Sequence, residues 1–262
     1  MISVASANVL SSLGRGNARE SLHVVLALAP DLVGLQEWYP PRFRLLQETG
    51  RLGLVPQGVR RSLIDRKDSS PTYLWNTPLV GGCAVGARAD RFDLLRCRSH
   101  LLSGVGLADR HGGRRNLEPA RAATVALYAD RHLGRTICLI NYHLVSGVQV
   151  NGRYRSDRGL LVARHRHETQ ALQRLVHQQL DQGHVVYATG DSNYHGFRIE
   201  GLTSAWDGPP GRLVTPGSLG TLGRRKVDDV HGPDRAASVA VLSTASDHKA
   251  IVVQRSDPAP SS

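Results

Sequence analysis

The chain has 262 residues, 40% of them hydrophobic, and a formal net charge of +11 from 33 basic against 22 acidic residues. That length and apolar content suffice for one large α/β or two-layer β domain with a real core. No apolar stretch reaches the ~18–20 residues a membrane span needs, and Cys83, Cys97 and Cys138, odd in number and without a CxxC, read as small buried hydrophobes rather than a disulfide or zinc framework.

Met1 leads straight into an apolar run, so Ile2–Leu10 reads as a first strand ending near Asn8. No basic segment followed by an apolar leader precedes it, so a cytoplasmic location is expected, although a processed secreted chain would begin the same way. Asn17 then looks like a helix N-cap with Glu20 as its reciprocal partner. Leu22, Val25, Leu26 and Ala29 share one helical face, and Pro30 stops the helix. Leu32–Gln36 is a short buried strand that delivers Glu37 at its end. Gly81–Ala87 and Phe92–Arg98 read as further strands, and residues 103–118 as a Gly- and Arg-rich loop.

Ala122–Ala129 and Thr136–His143 read as a strand pair joined across Asp130–Arg135. Period-two alternation in the second strand puts Ile137, Leu139, Asn141 and His143 on one face. Gly159–Leu180 is a helix with Leu172, Leu175, Val176 and Leu180 as its apolar stripe, and His165 and His167 read as solvated. Val185–Thr189 is another buried strand, residues 207–226 are Gly- and Pro-rich loop, and Ala237–Ser243 and Lys249–Gln254 are the last strands. No repeat or linker interrupts the chain, so residues 1–256 are expected to form one domain, with 257–262 as a disordered tail. Strands outnumber helices, which points to two packed sheets flanked by helices.

Two polar signatures stand beside buried strands: Gly190-Asp191-Ser192-Asn193 and Ser246-Asp247-His248. Carboxylate, amide and imidazole groups are poor choices for packing at strand ends and good choices for holding a hard metal ion against a phosphate. Singly, each motif can be an ordinary turn. Their order is more informative. Asn8 ends the first strand and Glu37 the second, Asn141-Tyr142-His143 ends a middle strand, Asp191 and Asn193 follow a buried strand, and Lys226-Val227-Asp228 and Asp247-His248 flank the last ones.

With these landmarks, from Ser6-Ala7-Asn8-Val9-Leu10 to Ser246-Asp247-His248, the chain resembles the endonuclease/exonuclease/phosphatase superfamily, the metal-dependent phosphoesterases of the pancreatic-deoxyribonuclease and exonuclease III type. The match covers nearly the whole chain. It implies an α/β (α+β) four-layer sandwich, two mainly antiparallel sheets face to face with flanking helices, and a site at one rim of the strands. It implies Mg²⁺ or Mn²⁺ as cofactor, with Glu37 as direct carboxylate ligand, Asp247 as a second and Asn8 as a neutral oxygen. By the same resemblance Asp191 orients and deprotonates the attacking water, and Asn193 fixes the nucleophile or a phosphoryl oxygen. His248 contacts the phosphate, held by Asp228, and His143 stabilises the phosphoryl oxygens or protonates the leaving group. Asp228 is preferred to Asp229 because Val227 and Val230 keep the apolar–Asp–x–apolar pattern.

Asn141, Arg121, Tyr194 and His195 are candidate substrate contacts, each with a plain alternative as a strand-end, core-flanking or loop residue. Two departures limit the transfer. Leu10 stands where some DNA-repair relatives carry an acidic residue, and no carboxylate partner for His143 can be placed beyond the weak candidates Asp65 and Asp68.

The leading expectation is a nuclease or related phosphodiesterase acting as a monomer on nucleic acid. Of the 33 basic residues only Lys67, Lys226 and Lys249 are lysines, and Arg suits bidentate phosphate contact, although a GC-rich genome would also favour it. Basic loops at Arg60-Arg61, Arg110 to Arg115, Arg153 to Arg158 and Arg224-Arg225-Lys226 lie in segments that can track a backbone, and Trp38, Tyr39, Tyr154, Tyr194 and Phe197 are candidates to stack on bases. The alternative is a lipid or small-molecule phosphoesterase, sphingomyelinase- or inositol-phosphate-phosphatase-like, for which an exposed apolar hairpin would be a sign; none is evident in the sequence. A non-enzymatic binding module on a decayed scaffold would lack one or more of the site groups, and all are present.

Overall fold

The computed structural model describes residues 1–55, 73–110, 114–207 and 220–256. Alternation along the first strand sets the architecture. β1 (Ile2–Asn8) sends Ile2 and Val4 into one apolar layer and Ala5 and Ala7 into another, the pattern of a strand covered on both faces. α1 (Arg15–Leu26) buries Ala18, Leu22 and Val25, and β2 (Leu32–Gln36) runs parallel to β1 with Asn8 opposite Gln36. Next come α2 (Phe43–Thr49), β3 (Gly50–Val55), β4 (Tyr73–Pro78), β5 (Ala84–Arg88) and β6 (Phe92–Ser103). A hairpin of β7 (Gly106–Asp109) and β8 (Arg115–Glu118) leads into β9 (Arg121–Asp130) and β10 (Arg135–His143). A second hairpin, β11 (Gln149–Val150) and β12 (Arg153–Tyr154), precedes α3 (Gly159–Asp181) and β13 (Val185–Asp191). β14 (Thr203–Ser204), β15 (Asp228–Gly232), β16 (Ala236–Leu242) and β17 (Ala250–Arg255) complete the order.

One sheet has seven strands, β16-β17-β1-β2-β5-β4-β3, and the other six, β14-β15-β13-β10-β9-β6. β1/β2, β3/β4 and β10/β13 are parallel pairs and the other neighbours are antiparallel. Between the sheets lie Val4, Leu32 and Val85 from one and Tyr128, Ile137, Leu139 and Tyr187 from the other. Behind the seven-stranded sheet α1 and α2 place Leu22, Val25, Leu45 and Leu46 against Ala5, Val33 and Leu35. Behind the six-stranded sheet α3 places Leu172 and Val176 against Cys138, Ile140 and Val186. The result is the expected four-layer sandwich of helix, sheet, sheet and helix. The sheets approach closely at Gly34 of β2, where an added Cβ would lie 2.0 Å from Thr189 Oγ1.

Several local expectations are corrected. α1 starts at Arg15 with Gly14 as N-cap, so Asn17 lies inside the first turn, and Arg15 and Arg19 both reach Glu48 of α2. The helix ends at Leu26, before Pro30, with Ala29 in the left-handed region (φ 45°). The stretch 103–118 is not a plain loop: its described residues form β7 and β8, in which Leu107 faces Leu117 across the ladder. These two leucines are 57% and 70% exposed, so an exposed apolar hairpin exists after all. α2, β3 and β4 were not anticipated, because Gly50, Gly53 and Pro78 break the local pattern there. Arg60, Arg61, Asp65, Asp68 and the 257–262 tail lie outside the described residues, as do 111–113 and most of the 207–226 loop.

Candidate active site

Three cross-strand neighbours build one wall. β10 and β13 run parallel with His143 opposite Asp191, and β13 and β15 run antiparallel with Asp191 opposite Asp228. All three side chains lie on one row at the strand ends, and all are buried. The facing wall comes from the other sheet: Asn8 ends β1, and Glu37 follows Gln36, Asn8's register partner. β17 pairs with β1, which brings the loop before it, with Asp247 and His248, to the same rim.

Asp191 is the hub. Its Oδ2 accepts from Asn8 Nδ2 at 3.0 Å and its Oδ1 from the Asn193 backbone N–H at 2.7 Å. His143 Nε2 and His248 Nδ1 stand 3.7 and 3.8 Å from Oδ2. Burial, and then the neighbouring Asp228 charge, push its carboxyl up to about 6. The His248 imidazole donates from Nδ1 to Asp228 Oδ2 at 2.7 Å, which directs Nε2 away from Asp228. Burial alone would lower that imidazole, but the Asp228 hydrogen bond and charge, with Asp191 and Asp247, lift it to about 9.

His143 behaves oppositely. The Arg121 guanidinium lies 3.4 Å from its Nδ1. A guanidinium only donates, so Nδ1 accepts and the ring proton sits on Nε2, facing Asp191. Burial first, and Arg121 second, lower this imidazole to about 4. Arg121 thus adjoins Asp191 through His143, on the ring nitrogen that faces away from the carboxylate.

The oxygen donors on the Asn8 side fit a hard cation. Because Asn8 Nδ2 is committed to Asp191, Oδ1 points elsewhere, and it is buried with no hydrogen-bond partner among the described residues. Glu37, in the left-handed region (φ 57°), accepts from Ser11 N–H at 2.7 Å through Oε2. Asp247 is exposed, 3.3 Å from the Ser246 hydroxyl. Asp191, Asp228 and His248 also place one ligand atom each within 4.8 Å of one another, but His248 Nδ1 is spent on Asp228, and an imidazolium is no metal ligand. Oxygen ligands suit Mg²⁺ or Mn²⁺.

Other expected contacts fall elsewhere. Asn141 is wholly buried: its amide accepts from Gln36 Nε2 (2.6 Å) and donates to Leu35 O and Ala84 O, tying β10 to β2 and β5. The Asn193 amide nitrogen is used on Leu144 O, so its contact with Asp191 is through its backbone N–H. Tyr194 is partly exposed, its hydroxyl on Gly152 O and its ring 4.6 Å from Tyr154. His195 is exposed and accepts from Lys226 N–H at Nδ1. Trp38 and Phe197 are buried and cannot stack on a base. Arg110 pairs with Glu118, and Arg158 is buried against Gly147 O, so neither is a free basic loop residue.

Three supporting residues were given no role by the sequence. Arg42 is buried and donates to the carbonyls of Val9, Leu10, Leu13 and Glu37, clamping the segments that carry Asn8 and Glu37. Ser246 Oγ accepts from Leu10 N–H and His248 N–H. His165, expected in solvent, is fully buried, with Nε2 donating to Ser192 O at 2.8 Å and Nδ1 accepting from Tyr154. It packs α3 against the turn after Asp191.

No family sequence model and no curated protein sequence matches the chain. Solved structures do. D. rerio TDP2 complexed with a single-strand DNA product is similar at 17% identity and TM-score 0.59, over 96% of this chain and 97% of that one. A mannosyl-6-phosphatase of Bacteroides thetaiotaomicron is similar at 15% identity and TM-score 0.63, over 97% and 99%. An endonuclease/exonuclease/phosphatase family protein of the same organism is similar at 15% identity and TM-score 0.63, over 96% of each chain. The chain has the endonuclease/exonuclease/phosphatase fold.

Proposed function

We propose that the protein is a metal-dependent phosphodiesterase whose substrate is nucleic acid. The observation that carries this reading is the setting of Asp191: a buried carboxylate raised to about 6, gripped by Asn8 and Asn193, and flanked by one imidazole raised to about 9 and one lowered to about 4. Two imidazoles driven apart around one carboxylate are an acid–base assignment. Asp191 takes the proton of the attacking water, a role that suits a buried carboxylate held by two N–H donors with an imidazole on either side. His248, kept cationic by Asp228, donates from Nε2 to a phosphoryl oxygen, and neutral His143 offers its Nε2–H beside Asp191.

Mg²⁺ or Mn²⁺, held by Asn8 Oδ1 and Glu37 with Asp247 at the rim, would neutralise charge on the phosphoryl oxygens. The nucleic-acid substrate is supported by the +11 charge, by exposed Arg114, Arg115 and Arg153, and by the DNA product held by the TDP2 relative.

Purified protein with Mg²⁺ or Mn²⁺ should nick plasmid or release nucleotides, and EDTA should stop it. Nucleic-acid affinity should fall steeply with salt. DNA and RNA left intact beside fast turnover of sphingomyelin or an inositol phosphate would replace this reading with a lipid or small-molecule phosphoesterase. That second reading has its own observation, the solvent-facing Leu107–Leu117 pair of the β7–β8 hairpin.

A further inference from the structure

A groove of about 450 Å³ opens beside the site, between the β11–β12 turn and the turn at Arg224-Arg225. Gln149, Asn151, Gly152, His195, Arg224 and Arg225 line it, and no carboxylate does. It is joined to the hydrolytic centre. Gln149 Nε2 donates to the Asn193 carbonyl at 3.2 Å, and Asn193 N–H holds Asp191. His195 accepts from Lys226 N–H at Nδ1, so its ring proton is on Nε2, an added donor. Arg224 and Arg225 are exposed, and neither has a carboxylate partner among the described residues. Two exposed guanidiniums, an imidazole N–H and amide groups in a volume that fits a nucleotide-sized group make a receptor for a phosphate anion. In the proposed mechanism the phosphate being cleaved sits at His248 and His143, so the anion in the groove is a different one.

We propose that the groove is a second phosphate subsite, which holds a phosphate of the substrate other than the one being cleaved. The proposal rests on the phosphodiesterase reading and narrows it: the preferred substrate carries phosphates in series, as a polynucleotide strand does, rather than a single ester. The subsite anchors the strand and leaves the hydrolytic step to Asp191, His248 and His143.

The test compares wild type with the double variant Arg224→Ala, Arg225→Ala on two substrates with Mn²⁺, a single-stranded oligonucleotide and bis(4-nitrophenyl) phosphate, which has one phosphate. The ratio of kcat/KM for the oligonucleotide to that for the small diester should fall about tenfold or more, carried by KM. An unchanged ratio overturns the subsite. Binding of the same oligonucleotide, labelled with fluorescein, to metal-free protein gives a reading independent of turnover. The variant should bind about tenfold more weakly at low salt, and equal anisotropy curves overturn the subsite. If wild type cleaves neither substrate, the phosphodiesterase reading fails, while the anisotropy comparison still decides whether the groove binds phosphates in series.

Discussion

Asn8 and Asp191 are 183 residues apart in the chain and share a 3.0 Å hydrogen bond. Asn8 ends a strand of the seven-stranded sheet and Asp191 ends a strand of the six-stranded one, so this bond closes the rim of the sandwich across its two sheets. It fixes the orientation of the Asn8 amide and turns Oδ1 away from Asp191, toward the proposed cation. Asn8→Ala should therefore act twice. Loss of the donor to a buried carboxylate should lower stability by about 1–3 kcal/mol, read by urea denaturation without metal. The Mn²⁺ midpoint for activity should rise as well. A variant with wild-type metal dependence would remove Asn8 from the cation site.

Asp191→Asn keeps the shape of the side chain and removes the proposed base. Turnover should fall by roughly 10³-fold or more in protein that is still folded, with a loss of about 1–3 kcal/mol of stability because the amide has one acceptor oxygen for the two N–H groups of Asn8 and Asn193. Activity within tenfold of wild type would assign the nucleophile's proton to another group.

The two histidines should titrate far apart in the metal-free protein. His248 is raised to about 9 from an ordinary 6.5, so its contribution to stability is complete below pH 6.5 and is lost as pH rises through 9. His143 is lowered to about 4, so its neutral form is accommodated above pH 6.5 and stability is lost as pH falls from there toward 4. Asp191, raised to about 6, works against His143 in that acid window, so bulk stability would blur the two. Histidine ring-proton NMR separates them, and two midpoints near 6.5 would contradict the assigned partners.

Arg121→Leu should move the His143 midpoint upward, because it removes the cation beside Nδ1. Burial still holds the ring below 6.5. A fall in kcat of about 10–100-fold with little change in KM is expected for an orienting role. An unmoved His143 resonance would show that Arg121 only packs.

Arg42→Ala strips the donor from four carbonyls. A loss of about 2–5 kcal/mol is expected from the buried bonds left open, with weaker Mn²⁺ activation at temperatures where the protein stays folded. Arg42→Lys restores charge but not the fork, so it should recover little of either.

The strand ends that carry Asn8, Glu37, His143 and Asp191 were legible because the apolar runs of β1, β2, β10 and β13 are legible. Asp228 and His248 were instead singled out by the family resemblance, since β15 has no run that was read as a strand and His248 lies in the loop before β17. The pairing of strands then forces those ends together. Arg42 and His165 were not, because an Arg after two prolines and a His in a basic helical stretch carry no periodic signal. Their burial depends on carbonyls and a tyrosine supplied by distant segments. The β7–β8 hairpin was hidden by its Gly and Arg content, and α2, β3 and β4 by their shortness and glycines.

The sequence by itself determined the layers of the fold and the residue types at the rim, since alternation of apolar residues and polar strand ends are local properties. Only the tertiary structure decided how those residues behave. The same imidazole becomes a cation beside Asp228 and a neutral ring beside Arg121, because burial and the nearest charge, neither of them local in the chain, set the proton's free energy.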